Sequence, residues 1–304
     1  MSEGKLVFAG IVPHPPVMVP EVGKDRADQV AETQHQMTVF SERLKAAEPD
    51  VILLMTPHGT VEQEALGIYG SPWLKGDLSY FRAPEVQIQC KNDFQMVYFI
   101  VQAARNFNIP MLVADRYQPH SLDHGIVAPY YFFQKAGLEH IPLIPLMPSF
   151  QHMEYHFLLG QAIGYVIPQS SRRVAFIASG DLSHRTSSDS PEYTPQGIQF
   201  DQEVVECVKS NDWKRYLSMD NHLRVQAGEC GYRSIVTLAG LLNIVPIPIE
   251  YLSFESPFGV GYLVAASSPV LTEKEKETIM KTTEPGIQVN SLINLARQTI
   301  ETYI

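Results

Sequence analysis

The chain has 304 residues, enough for one large domain with its own hydrophobic core. A formal charge of −10, with no run of basic residues longer than Arg172-Arg173, excludes the basic surface that nucleic-acid binding requires. Three widely spaced cysteines exclude a disulfide framework and indicate a reducing compartment. The apolar run before His14 is too short for a signal peptide or a membrane span, so we expect a soluble cytoplasmic protein, compatible with a homo-oligomer.

Apolar runs typical of strands alternate with helical periodicity along the chain. Residues 6–12, 25–47 and 51–56 form a strand-helix-strand pattern. Further strands are predicted at residues 65–69, 85–89, 111–114, 141–146, 173–178, 247–252 and 261–266, and further helices at 93–106, 126–135, 153–167, 196–210, 212–219 and 229–242. This alternation predicts an α/β single domain with a central mixed, largely parallel sheet flanked by helices, and sites beyond the carboxyl ends of its strands.

The pattern changes after Pro269. Residues 271–281 are charged and helix-like, residues 282–286 are a proline and glycine break, and residues 291–304 are amphipathic. We therefore predict a catalytic domain over residues 1–268, followed by a linker and helical tail over residues 269–304.

Two histidines follow predicted strands in rigid surroundings. His14 lies between two prolines, and His58 lies between a proline and a glycine. Imidazole is a common ligand of iron and zinc, and two imidazoles with one carboxylate leave coordination positions open. The pattern predicts His14 and His58 as metal ligands, although either one alone is equally compatible with a turn histidine that faces water.

A third histidine, His184, follows the predicted strand 173–178 through a turn of small and hydroxyl residues. Imidazole accepts and returns protons near neutral pH, so His184 is a candidate general acid-base. The structural alternative is a helix N-cap built by Asp181 or Ser183, with His184 incidental.

Glu229 and Cys230 stand side by side between two glycines at the start of an apolar helix. Either side chain is able to complete a metal site: a carboxylate suits Fe(II), whereas a thiolate suits copper or zinc. Glu229 is also compatible with a purely structural role at the positive end of the helix dipole.

His120 and His124 form the remaining histidine cluster, just before a predicted helix. They are candidates for lining a substrate pocket and donating hydrogen bonds to a developing oxyanion. The alternative is that Ser121 or Asp123 caps the helix and one histidine is solvated.

Together these motifs resemble the LigB-like family of class III extradiol ring-cleaving dioxygenases. The resemblance rests on Pro13-His14-Pro15, Pro57-His58-Gly59, Leu122-Asp123-His124-Gly125 and Ser179-Gly180-Asp181-Leu182-Ser183-His184, whose order and spacing cover residues 5–268. No single motif is specific, but the ordered set is. The resemblance implies a LigB-like, phosphorylase-like three-layer sandwich.

The same resemblance implies an iron site of two histidines and one carboxylate. His14 and His58 match its ligands, His184 matches its acid-base residue, and the third ligand falls within residues 228–231. We expect Glu229 to be that ligand. Memo-type proteins, which are similar across these motifs and are not established ring-cleaving enzymes, have a cysteine that matches Cys230, so Cys230 is the rival.

By this resemblance the substrate is a small catechol-like aromatic diol that is cleaved with O₂. His184 moves protons, while His124 and His120 stabilise charge on oxygen. Fe(II) is the expected cofactor, with zinc, manganese and copper as alternatives. Two other functions stay open: a metal-dependent hydrolase, and a Memo-like metal-binding protein without ring-cleavage activity.

The tail carries a second resemblance. Residues 292–301 are similar to the first helix of the AMMECR-type domain that follows a dioxygenase-like domain in AmmeMemoRadiSam system protein A. This implies that residues 269–304 include the start of a truncated domain of that type.

Overall fold

The computed structural model describes residues 3–59, 63–114 and 121–267. The chain divides into two units, Met1–Ser267 and Ser268–Ile304, and every described residue lies in the first. The tail predicted over residues 269–304 and the predicted pocket residue His120 therefore lie outside the described residues. No described helix is long and apolar enough to cross a lipid bilayer.

Strands and helices alternate through most of the described chain. The strands are β1 (Lys5–Val12), β2 (Val51–Met55), β3 (Leu66–Tyr69), β4 (Trp73–Leu78), β5 (Ala83–Lys91), β6 (Met111–Ala114), β7 (Ser121–Leu122), β8 (Leu143–Met147), β9 (Arg173–Ser179), β10 (Ile249–Glu255) and β11 (Tyr262–Ser267). The helices are α1 (Pro20–Gly23), α2 (Ala31–Ala46), α3 (Phe94–Asn106), α4 (His124–Lys135), α5 (Met153–Ser170), α6 (Pro195–Ser210), α7 (Trp213–Leu217), α8 (Asn221–Ala227) and α9 (Tyr232–Ile244).

Eight of the described strands form one sheet in the order β10-β11-β1-β9-β2-β8-β3-β6. The central strands β1, β9, β2 and β8 run parallel to one another. β3 and β6 are parallel to each other, whereas β10, β11 and the β3–β8 pair supply the antiparallel contacts. The expected mixed, largely parallel sheet is confirmed.

The sheet is buried on both faces, which explains why β2 is a continuous apolar run. Val51, Leu53 and Met55 pack into a core shared with α3, α5, α6 and α9. Ile52 and Leu54 point to the other face, where the core is shared with α2 and α4. This alternation of successive side chains divides the apolar interior between two layers of helices.

A small second sheet was not predicted from the sequence. Strands β5, β4 and β7 form it, and its apolar side joins the core on the α4 face. The strand β4 alternates exposed and buried residues, but Gly76 and Asp77 have low strand propensity and obscure the pattern. Helix α8 was also missed, and α9 begins at Tyr232 instead of at Glu229.

The parallel centre of the sheet brings distant loops together. β9 lies between β1 and β2, so the carboxyl ends of these three strands meet at one edge. His14, His58 and the segment 179–184 follow those strand ends directly. The topology thus gathers residues that are more than a hundred positions apart in the chain.

Candidate metal centre

His14 is buried and held by the segment that follows β9. Its backbone N–H donates to Asp181 Oδ1 at 2.9 Å, and its Nδ1 lies 2.9 Å from Ser179 Oγ. The Ser179 hydroxyl donates its single proton to the Gly125 carbonyl at 2.6 Å, so it accepts from His14 Nδ1–H. This bond fixes the tautomer of His14 and leaves the lone pair on Nε2 directed into the site.

His58 faces His14 across the site. The two Nε2 atoms lie 2.9 Å apart, and the rings meet edge to face with centroids 4.8 Å apart. The loop of His58 is tied to the start of α4, because Thr56 Oγ1 donates to Asp123 Oδ1 at 2.7 Å and accepts from the His58 N–H at 3.3 Å. The expected pairing of the two histidines is therefore present in the structure.

His124 joins the same cluster at the first residue of α4. Its ring stacks on His58 with centroids 4.4 Å apart and lies 5.4 Å from the ring of His14. Asp123 caps the helix by accepting from the Gly125 N–H at 2.8 Å, so the capping role considered for Asp123 is also present. The Phe81 ring also contacts His124, with ring centroids 5.2 Å apart.

Cys230, not Glu229, lies with the two histidines. Cys230 Sγ is 3.6 Å from His14 Nε2, and the ligand atoms of His14, His58 and Cys230 all lie within 4.8 Å of one another. Glu229 belongs to no such group among the described residues. Its Oε2 instead accepts at 2.6 Å from the N–H of Tyr232, the first residue of α9.

The backbone explains this departure from the expected third ligand. Helix α8 ends at Ala227, and Gly228, with a φ of 62°, turns the chain before α9 begins. Glu229 is thereby placed to satisfy the first turn of α9, next to Arg224 and Arg233, which act against the burial that raises its pKa. Its neighbour Cys230 is directed back towards the end of β9.

Two glycines allow the cysteine loop to approach the end of β9. A Cβ atom built on Gly180 would lie 2.1 Å from the Cα of Gly231, so no side chain fits between the two segments. The Gly231 N–H donates to the Asp181 carbonyl at 2.9 Å, and the Asp181 N–H donates to Cys230 Sγ at 3.2 Å. These contacts set the position of the sulfur.

Asp181 and His184 also lie close to this sulfur. A carboxylate oxygen of Asp181, a ring nitrogen of His184 and Cys230 Sγ also lie within 4.8 Å of one another. His184 Nδ1 is buried, and no described residue forms a hydrogen bond to it. The helix-capping alternative for this segment is wrong, because α6 begins only at Pro195 and Thr194 caps it.

Burial favours the neutral form of the three clustered imidazoles. It lowers the pKa of His14 well below the usual value, with His58 and His184 adding to the effect. It lowers the pKa of His58 too, and it lowers the pKa of His124 to about 3. Neutral imidazole is the form that binds a metal ion.

Burial opposes the ionised forms of the two acidic groups beside these imidazoles. Burial raises the pKa of the Cys230 thiol, and the Asp181 carboxyl adds to that rise. Burial likewise raises the pKa of Asp181 itself, against the opposing hydrogen bond from the His14 N–H. A divalent ion reverses this cost, because it deprotonates a coordinating thiol.

The donor set fits a single divalent transition-metal ion. An ion about 2.0–2.3 Å from its nitrogen and sulfur ligands holds them roughly 3.3–3.6 Å apart. The 3.6 Å between Cys230 Sγ and His14 Nε2 matches this spacing, and the 2.9 Å between the two Nε2 atoms is slightly shorter. The lone pair on His14 Nε2 and the orienting hydroxyl of Ser179 complete the arrangement typical of a metal-bound histidine.

The sequence did not single out three residues of this site. Ser179 orients His14, Asp181 faces both His14 and Cys230, and Thr56 links two of the loops. Ser179 and Asp181 lie in the segment identified through His184, and Thr56 lies two residues before His58. In the sequence, only their position close to a predicted ligand indicated that these three residues belong to the site.

Comparison with known proteins identifies the family. Residues 9–265, which include every residue of this site, match the family model of the catalytic LigB subunit of aromatic ring-opening dioxygenases. Protein CA_C1420 of Clostridium acetobutylicum is 31% identical over 97% of this chain, which spans 65% of that protein.

Two other relatives are more distant. A 2,3-dihydroxyphenylpropionate/2,3-dihydroxicinnamic acid 1,2-dioxygenase of Pseudomonas putida is 28% identical over 53% of this chain and 51% of its own length. MEMO1 family protein MJ0403 of Methanocaldococcus jannaschii is 21% identical over 67% of this chain and 64% of its own length. This chain thus spans less than two thirds of each of these three relatives.

The fold is found in a solved structure as well. Uncharacterized protein JW3007 of Escherichia coli K12 aligns with a TM-score of 0.57 over 86% of this chain and 99% of its own, at 13% identity. The family model and the two distant relatives confirm the resemblance inferred from the histidine motifs. The chain belongs to the LigB family, the catalytic subunits of aromatic ring-opening dioxygenases.

Proposed function

We propose that this protein is an Fe(II)-dependent extradiol dioxygenase that cleaves a catechol-like aromatic ring with O₂. The observation that carries the proposal is the meeting of His14 and His58 with Cys230 and the carboxylate of Asp181, beside a nitrogen of His184 to which no described residue bonds. Family membership supports the reaction class. The name of the Pseudomonas relative supports an aromatic diol as the substrate class.

The side chains have distinct roles in this proposal. When bound by His14, His58 and Cys230, ferrous iron would supply a path for electrons between the diol and O₂. Ser179 keeps the lone pair of His14 directed at the ion. His184 takes a proton from a diol hydroxyl and later returns it to the product.

His124 is suited to a different task. Its lowered pKa keeps it neutral, so it offers one N–H to an oxygen atom that gains negative charge. Its stacking on His58 and its contact with Phe81 hold the ring in place. The matching role expected for His120 stays a prediction, since that residue lies outside the described chain.

The third ligand is tested by a pair of neighbouring substitutions. We expect Cys230→Ser to abolish tight metal binding and Glu229→Gln to leave it within a fewfold of wild type, because the Glu229 carboxylate accepts from the first N–H of α9 instead of facing the histidines. Metal content after anaerobic loading and desalting measures the difference. Loss of metal from Glu229→Gln, with Cys230→Ser unaffected, contradicts the assignment of Cys230.

Activity is tested by anaerobic Fe(II) reconstitution followed by oxygen uptake. The screen covers catechols, aminophenols and their carboxylated relatives, and ring cleavage is read from the absorbance of the opened product. We expect uptake that depends on Fe(II) and is lost in His58→Gln. Stoichiometric zinc in anaerobically purified protein, with no uptake after Fe(II) loading, contradicts the dioxygenase and favours the hydrolase alternative.

A second function, metal binding without ring cleavage, is favoured by the sulfur of Cys230. A thiolate prefers softer ions such as Cu(I), and the chain is similar to a MEMO1 family protein. Competition between Cu(I) and Fe(II) distinguishes the two functions. Retention of Cu(I) in the presence of excess Fe(II), without oxygen uptake by either form, supports this second function.

A further inference from the structure

A buried aspartate of α6 lies behind the loop that carries His184. Asp201 is 2% exposed, and its Oδ1 accepts from the Ser183 N–H at 2.8 Å. Its other oxygen, Oδ2, is also buried, and no described residue forms a hydrogen bond to it. A buried polar atom without a partner costs free energy, so stability alone does not account for a carboxyl group at this position.

Asp201 completes a frame of hydrogen bonds around Ser183 and His184. The Ser183 carbonyl accepts from the Gly261 N–H at 2.8 Å, and the Ser183 hydroxyl donates to the Ala227 carbonyl at 2.9 Å. The His184 N–H donates to the same carbonyl at 3.1 Å. A Cβ atom built on Gly261 would overlap with Asp201 Oδ2, so the carboxyl is held closely between α6 and the loop. The backbone next to His184 is thus tied to the side chain of Asp201.

The part of the loop that faces the metal ligands has other anchors. The Asp181 carboxylate accepts from the His14 N–H at 2.9 Å, and the Asp181 carbonyl accepts from the Gly231 N–H at 2.9 Å. The Asp181 N–H donates to Cys230 Sγ at 3.2 Å. None of these bonds involves α6. Loss of the α6 carboxyl is therefore expected to displace the acid-base histidine without displacing the metal ligands.

We propose that Asp201 is a positioning residue, which sets the place of the His184 ring by holding the Ser183 N–H. The inference rests on the proposed function, in which His184 transfers protons. A misplacement of about 1 Å in a reacting group lowers a rate by about 100-fold, so this hydrogen bond is expected to affect kcat. Burial raises the pKa of Asp201 to about 7, but a protonated carboxyl keeps an oxygen that accepts from Ser183.

The test compares Asp201→Ala with Asp201→Asn in the full chain loaded with Fe(II). Alanine removes the accepting oxygen, whereas asparagine keeps it. We expect Asp201→Ala to lower kcat for oxygen uptake about 10–100-fold, with KM and metal content unchanged, and Asp201→Asn to stay within a fewfold of wild type. An equal loss of kcat in both variants, or wild-type kcat in Asp201→Ala, overturns the inference.

Asp93→Ala is the matched control. Asp93 is also buried and accepts a backbone N–H, that of Met96, at 3.0 Å. Its carboxylate pairs with Arg172, which precedes the amino end of β9, whereas the candidate metal centre lies at the carboxyl end. This variant is expected to lose stability and to keep the wild-type kcat. A loss of kcat equal to that of Asp201→Ala shows a general effect of destabilisation and overturns the positioning role.

A double-mutant cycle shows whether Asp201 acts through His184. In the His184→Gln background, Asp201→Ala is expected to change kcat by no more than about twofold, because the group that it positions is already absent. The same fold loss in this background as in wild type shows that the two residues act independently. That result overturns the inference.

Hydrogen exchange separates this inference from the proposed function, because it requires no turnover. The Ser183 and His184 amides of the metal-free protein are expected to exchange faster in Asp201→Ala than in wild type and in Asp201→Asn. Absence of oxygen uptake by wild type with every diol overturns the proposed function, whereas unchanged exchange in Asp201→Ala overturns the inference. Asp201→Ser, whose hydroxyl is one bond shorter than the carboxylate, replaces the alanine variant if thermal melting shows that the latter does not fold.

Discussion

The orientation of His14 by Ser179 gives the most direct test of the metal centre. Ser179 is fully buried, and its hydroxyl both accepts from His14 Nδ1 and donates to the Gly125 carbonyl. The substitution Ser179→Ala removes both bonds without adding volume. The imidazole of His14 then loses its preference for the tautomer that directs the Nε2 lone pair at the ion.

The contacts of Ser179 allow the effects of Ser179→Ala on metal affinity and on stability to be estimated. Loss of a hydrogen bond that orients a ligand histidine lowers metal affinity about 10–100-fold, or about 1.4–2.8 kcal/mol. Two buried polar atoms, His14 Nδ1 and the Gly125 oxygen, also lose their partner, at about 1–3 kcal/mol each. We therefore expect weaker metal binding and a free energy of unfolding lowered by roughly 2–6 kcal/mol.

The assay combines metal competition against a chromophoric chelator with urea denaturation of the metal-free protein. Ser41→Ala is the matched control, because Ser41 is also buried but donates to Met37 in its own helix, away from the site. It is expected to lower stability without changing metal affinity. Wild-type affinity in Ser179→Ala, or an equal loss of affinity in Ser41→Ala, refutes the orienting role.

Three further predictions concern the acid-base residue, the glycine contact and a buried histidine. With one equivalent of Fe(II), His184→Gln should lower the rate of oxygen uptake about 10²–10⁴-fold, as loss of a general acid-base does, and an unchanged rate contradicts its role. Gly180→Ala should lower the melting temperature and the metal affinity together, because its Cβ meets Gly231 at 2.1 Å; wild-type values of both exclude this close contact. Burial, aided by Arg233, lowers the pKa of His156 to about 3, so the unfolded chain binds this proton first and stability falls as pH drops from about 6.5 towards 3. This proton lowers the free energy of unfolding by up to about 5 kcal/mol over that pH range, so the free energy should depend less on pH in His156→Gln. An equal dependence on pH in the variant shows that His156 is not its source.

The sheet was largely predictable because most of its strands are visible in the sequence as local apolar patterns. A fully buried parallel strand such as β2 is a continuous apolar run, and the helices between strands show a regular apolar spacing. The elements that were missed lack such patterns: β4 contains a glycine and an aspartate, and α8 has only seven residues. Local propensity is weak where an element is short or is held by tertiary contacts.

The histidines of the site were predictable for a related reason. His14 and His58 each follow a strand. Their neighbours are prolines, which restrict the backbone conformation, and in the case of His58 also a glycine, which widens it. Strand ends in a parallel sheet converge, so sequence position alone indicated that the two side chains meet. The sequence by itself therefore determined the fold class and the two imidazole positions.

Only the tertiary structure shows that Cys230, and not Glu229, lies beside the two histidines. The two residues are adjacent, so no spacing rule separates them, and the chemistry of Fe(II) favours the carboxylate. The contact between Gly180 and Gly231 and the left-handed turn at Gly228 direct the sulfur into the site, while the carboxylate satisfies the first turn of α9. The direction of a side chain at a turn depends on long-range backbone contacts, and these form only when the chain has folded.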